Sequence, residues 1–169
     1  MKKAIIFGLL LAVVFTGCKK DDENNDNEIP QGDKVEGVWL SSGTDVSPLL
    51  AYNGFSSINA EFKADGTYTV IGNLTAGGAI NFVGVYEQTK SDVEGIYNIK
   101  LIQSAPSSAI SEGILQITVE NQVRIMVYEV AQVDPSVAGV TAPTAEAGFG
   151  STSDGQYGMM NVQRFVEVQ

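Results

Sequence analysis

From Val35 onward the chain alternates apolar and polar side chains with a period of two, and this constrains its fold more than any other feature. Stretches rich in Val, Ile, Tyr, Phe and Thr are separated by Gly, Asn and Asp, the residues that punctuate strands. No segment carries an apolar i, i+3, i+4, i+7 pattern long enough to specify a helix. The alternation predicts eight strands, at about 35–42, 56–63, 67–72, 80–88, 94–103, 113–120, 122–131 and 158–168. Ile58, Ala60 and Phe62 are expected to face inward, as are Tyr97, Ile99 and Leu101. In 80–88 and 122–131 both faces are apolar, and alternation does not separate inside from outside.

Two turns stand out. Asp65-Gly66 between two β stretches reads as a tight hairpin with glycine at positive φ, and Glu120-Asn121-Gln122 marks a second. Sequential antiparallel strands joined by short turns predict an all-β fold, an eight-stranded antiparallel up-and-down barrel that removes its own sheet edges; an open sandwich is the alternative. A barrel of about eight strands is either filled by side chains or holds one small ligand.

Composition narrows the chemistry. The 169 residues favour a single domain. The chain has no histidine, which removes the commonest general base and the commonest transition-metal ligand. Its single cysteine, Cys18, permits no internal disulfide. Without Lys2 and Lys3 the chain would carry 8 basic and 20 acidic side chains, a net charge of −12. Such a charge repels phosphate backbones and anionic lipid surfaces, so nucleic acid is not an expected partner.

The N-terminal region has its own logic. Lys2-Lys3 precede an apolar run from Ala4 to Phe15, long enough for a signal peptide and too short to cross a bilayer. Phe15-Thr16-Gly17-Cys18 resembles the bacterial lipobox, in which the cysteine is acylated and becomes the mature N-terminus. An ordinary signal peptide ending near a cysteine is the competing reading. Several acyl chains on Cys18 would hold the domain on a membrane without inserting it. Residues 19–34, rich in Asp, Asn and Glu, are expected to form a disordered tether. Within it Lys19-Lys20-Asp21-Asp22-Glu23 resembles the acidic export signal of surface lipoproteins in Bacteroides- and Flavobacterium-type bacteria. A solvated spacer and a periplasm-facing anchor remain open. The expected organisation is a lipoprotein signal over 1–17, a lipidated Cys18 with an acidic tether over 18–34, and a barrel domain over 35–169. The expected location is the outer membrane, at the cell surface.

Gly37-Val38-Trp39 opens the first strand as Gly-X-Trp does in lipocalins and their calycin relatives. The hairpin residues Phe62, Asp65, Gly66, Thr67 and Tyr68 are similar to those of lipocalin-like domains on bacterial lipoproteins. That resemblance covers 35–169 and implies that an arginine of the last strand packs across the tryptophan to close the barrel's narrow end. Arg164 is the candidate, on a face with Met160, Val162, Val166 and Val168; a cation–π contact with Trp39 would partner it. Its alternative is a turn out to solvent. The second and third lipocalin motifs and the long C-terminal helix are missing, so no ligand is carried over.

Two connections could carry function. Residues 43–55 place Leu49, Leu50, Tyr52 and Phe55 in a loop, as a lid over the mouth or as a plug formed through a short helix. Residues 132–157 form a long connection rich in small residues, either a partner-binding loop at the mouth or a tolerated insertion. The loop acids Asp45, Asp92, Glu94, Asp134 and Asp154 match no calcium spacing, and no phosphate-binding glycine loop occurs. No metal site, catalytic residue or cofactor is therefore expected, and the protein is expected not to be an enzyme. A carboxylate pair inside the barrel would revive acid–base chemistry. The leading expectation is a monomer that binds a small apolar or amphipathic molecule through Phe62, Tyr68, Phe82, Tyr97 and Tyr128 together with the 43–55 loop. The alternative is a filled barrel that binds glycan or protein through its loops. A cavity beyond about 300 Å³ favours the first, and a packed interior the second.

Overall fold

The structure, a computed structural model, describes residues 28–168. The signal segment, Cys18 and residues 19–27 of the expected tether lie outside the described residues. Eight antiparallel strands run up and down and close into a barrel: β1 (Gly37–Ser42), β2 (Phe55–Phe62), β3 (Thr67–Leu74), β4 (Ala79–Lys90), β5 (Tyr97–Ala105), β6 (Ala109–Glu120), β7 (Val123–Asp134) and β8 (Gln163–Glu167). The seam between β1 and β8 is short, pairing Trp39 with Glu167 and Leu40 with Val166. Among the described residues the longest helix is α1 (Pro48–Tyr52), started by Ser47, whose side chain accepts from the Leu50 N–H, with proline in the first turn.

Turn chemistry fixes the registers. Between Phe62 and Thr67 the chain reverses over Lys63–Gly66, with Gly66 at φ +81° and Asp65 Oδ1 accepting from the Thr67 N–H and hydroxyl. Between β6 and β7, Asn121 and Gln122 both take positive φ, the two-residue turn whose twist suits a hairpin. Inward side chains then follow by alternation. Ile58, Ala60 and Phe62 are buried, Tyr97 and Ile99 likewise, and Leu101 packs against the same core. Strands β4 and β7, unassigned from sequence, turn Phe82 and Tyr86, and Met126, Tyr128 and Val130, toward that core.

The two ends of the barrel differ. Residues 29–36 cross the end where β1 begins, so residues 30–34 belong to the folded domain and not to a tether. Ile29 packs on the core, Val35 is fully buried, and the Trp39 indole donates to Val35 O at 2.7 Å. Gln88 grips the segment twice, accepting from Val35 N–H and donating to Asp33 O. Six residues of β1, roughly 20 Å of extended chain, separate this end from the one that carries α1.

The 135–162 connection starts and ends at the α1 end and folds back along the outer wall. There it covers Ile114 and Glu129, cross-strand neighbours that face outward yet are fully buried. Glu129 accepts from Gly150 N–H (2.6 Å), Thr152 N–H (3.1 Å) and the Thr152 hydroxyl (2.5 Å). Three donors satisfy a carboxylate that would be costly to bury bare. The segment is therefore a built part of the wall and not a free loop at the mouth.

Candidate functional site

The barrel encloses a cavity of about 250 Å³ that opens beside α1. Its wall is almost entirely apolar, with Phe62, Tyr68, Phe82 and Tyr128 among the lining residues, as expected. Leu50 from α1 and Phe55 from the start of β2 reach it as well. The Phe55 ring lies where a side chain on Gly72 would sit: a Cβ there would be 2.4 Å from it. Aromatic edges organise the wall, Phe62 against Tyr86 at 5.1 Å and Tyr128 against Phe165 at 5.9 Å, both near perpendicular.

Three expected contributors lie elsewhere. Tyr97 is at the closed end, where its hydroxyl donates to Asp33 Oδ2 at 2.6 Å. Tyr52 is 86% exposed, and Leu49, though partly buried, does not reach the cavity. A five-residue helix presents only one side, and here that side is Leu50. From the rim Leu50, with Phe55 after the helix, packs against the core as the short-helix alternative expected.

Sequence reasoning also missed part of the lining. Phe165 and Gln163 of β8 face in, as do Val70, Met126, Val130, Gln103 and Asn161; Ile58, Ala60 and Leu101, expected to face inward, complete the wall. None of the lining residues is charged. No carboxylate pair therefore lines the cavity, and acid–base chemistry of that kind has no seat in it. Among the described residues no cluster of three acidic or thiol side chains is placed to hold a metal ion.

The barrel-closing arginine is not the expected one. Arg124 of β7, not Arg164, lies over Trp39, its guanidinium 4.9 Å from the ring centroid. Arg124 also donates to the carbonyls of Gly32, Lys34 and Glu36 and pairs with Glu167 at 2.7 Å. Arg164 points outward and is paired with Asp45 at 3.2 Å and Glu120 at 3.3 Å. The reason is register: burying Phe165 turns Gln163 and Glu167 inward with it, and Arg164 outward. Gly37 has φ +138°, and a Cβ on it would lie 2.9 Å from Glu167 Oε1, so the glycine admits the ion pair.

Burial raises the phenols of the interior. Tyr86 and Tyr97 are pushed up to about 12, Tyr86 further by Glu36 and Asp65, Tyr97 by its bond to Asp33. Tyr68 is raised by burial alone, and Tyr128 by burial and by the neighbouring Tyr68. All four stay neutral at physiological pH, and Tyr68 and Tyr128, the two that line the cavity, leave its wall uncharged. No protein-family model, curated protein or solved structure matches the chain.

Proposed function

We propose that this protein is a non-catalytic binding lipoprotein whose barrel takes one small apolar or amphipathic molecule, displayed at the cell surface through lipid on Cys18. The observation that carries the reading is the uncharged aromatic cavity inside the closed barrel. Its 250 Å³ falls between the roughly 150 Å³ that admits benzene and the roughly 300 Å³ at which drug-sized pockets begin. The ligand is therefore small, on the order of ten non-hydrogen atoms when scaled from benzene. At 250 Å³ the cavity is below the roughly 300 Å³ mark, so the reading rests on its uncharged aromatic lining and not on its volume. Against a barrel acting only through its loops stands the longest connection, which is committed to the wall through Glu129.

The test is a titration of the unlipidated full chain (Cys18→Ala) with n-decane or naphthalene, read by methyl NMR. Saturable shifts at Leu101, Val70 and Met126, with Val85 and Ile102 on the outer wall unmoved, are expected. Failure of both probes to move the lining methyls would overturn the binding role. Metabolic labelling with a fatty acid, abolished by Cys18→Ala, tests the anchor. Protease access on intact cells tests surface display.

A further inference from the structure

The cavity carries three side-chain amides, and two are already committed. Gln103 Nε2 donates to Ser107 O at 2.7 Å, and Asn161 Nδ2 donates to Val130 O (2.9 Å) and Thr152 Oγ1 (3.0 Å). The third, Gln163, is buried to 3% exposure, and its Nε2 donates to nothing among the described residues. Its orientation is not arbitrary. Gln163 Oε1 accepts from the Ser47 N–H at 2.9 Å, the bond that also holds the residue before α1; turning the amide over would set donor against donor. The rim thus fixes the carbonyl and leaves the N–H₂ over. A buried donor without a partner is costly, and a wall of hydrocarbon offers it none.

We propose that Gln163 Nε2 is the polar recognition point of the cavity, and that the ligand is a neutral molecule with one carbonyl-type acceptor on a short hydrocarbon body. This rests on the binding role proposed above. Neutrality follows from the lining: a carboxylate head would meet no cation, and an ammonium no carboxylate. Gln163 pairs across the strands with Tyr128, which puts the acceptor beside an aromatic wall while the body extends toward Phe62. Ser41 Oγ of β1, which is also buried and unpartnered, lies off the cavity lining.

The discriminating experiment compares 2-nonanone with n-decane, equal in non-hydrogen atoms and different in the acceptor, on the unlipidated full chain and on its Gln163→Met variant. Gln163→Met should weaken the ketone relative to the alkane by about two- to tenfold, the range of one net hydrogen bond, whatever the lost bond to Ser47 does to both. The infrared carbonyl stretch of 2-nonanone bound to the Gln163 protein should fall below its value in alkane solvent; this reading does not depend on the variant folding. If both ligands bind, the variant leaves the ratio of their affinities unchanged, and the stretch keeps its alkane-solvent value, the donor is satisfied by other means and the recognition point is wrong, while the binding role stands. If neither ligand binds the folded protein, the binding role itself fails.

Discussion

Replacing Arg124 by alanine tests the reading of the closed end most severely. The side chain is four-fifths buried and joins three backbone carbonyls, the Glu167 carboxylate and the Trp39 ring. Its removal strands a largely buried Glu167 and loosens residues 30–36, which Gln88, Tyr97 and Trp39 still hold to the barrel. Hydrogen bonds to a charged group contribute about 1.5–3 kcal/mol each, a cation–π contact about 0.5–2, and breaking a buried pair costs about 3–5. The carbonyls regain water once the segment loosens, so the net loss should be about 3 kcal/mol. Arg164→Ala is the internal control. Its two pairs are more exposed and should be worth no more than about 1 kcal/mol together. Urea unfolding followed by the fluorescence of Trp39, the sole tryptophan, measures both. Arg124→Lys keeps the charge but not the planar fan of donors, and should fall between. Equal costs for Arg124→Ala and Arg164→Ala would refute the assignment of Arg124 as the closing residue.

Two further outcomes are expected. The phenols of Tyr86 and Tyr97 stand above the ordinary value of 10, at about 12, because the folded state disfavours their ionised form. The unfolded chain therefore loses these protons first, and the stability they hold is complete below pH 10 and lost as pH rises through 12. Tyrosinate absorbance should accordingly rise together with unfolding in an alkaline titration, and full ionisation of a still-folded barrel would contradict the burial argument. Glu129→Gln sets an amide N–H₂ against one of the three donors that Glu129 accepts, at a cost of about 2 kcal/mol. Hydrogen exchange at Gly150 and Thr152 should accelerate while β2–β5 stay protected; unchanged exchange there would mean that Glu129 does not hold the segment to the wall.

Strand number and order were legible because period-two alternation and turn residues are local signals; Asp65-Gly66 and Asn121-Gln122 each fix a hairpin with no distant information. What was not legible depended on partners remote in sequence. On β8 the apolar set around Arg164 pointed one way and Phe165 the other, and the choice turned on Glu167 meeting Arg124, 43 residues away. On β6 and β7 the outer face is buried at Ile114 and Glu129 because a segment that follows both strands folds back over them, which no window of residues discloses. Tyr97 shares the alternation of the cavity-lining residues but begins its strand at the wrong end of the barrel. Gln163, the most informative residue of the cavity, reads in sequence only as a polar residue between Val162 and Arg164. Only its bond to Ser47, 116 residues away, gives it a direction.

The knot at the foot of the barrel also sets how the domain carries load. The chain enters across the end where Arg124 gathers the carbonyls of Gly32, Lys34 and Glu36, and the cavity opens at the far end beside Leu50 and Gln163. A pull applied through residue 28 meets that knot first and spreads into β1, β7 and β8 from below. The rim lies off this line of force. A domain moored by its N-terminus and dragged by flow would strain at its base while its cup keeps its shape.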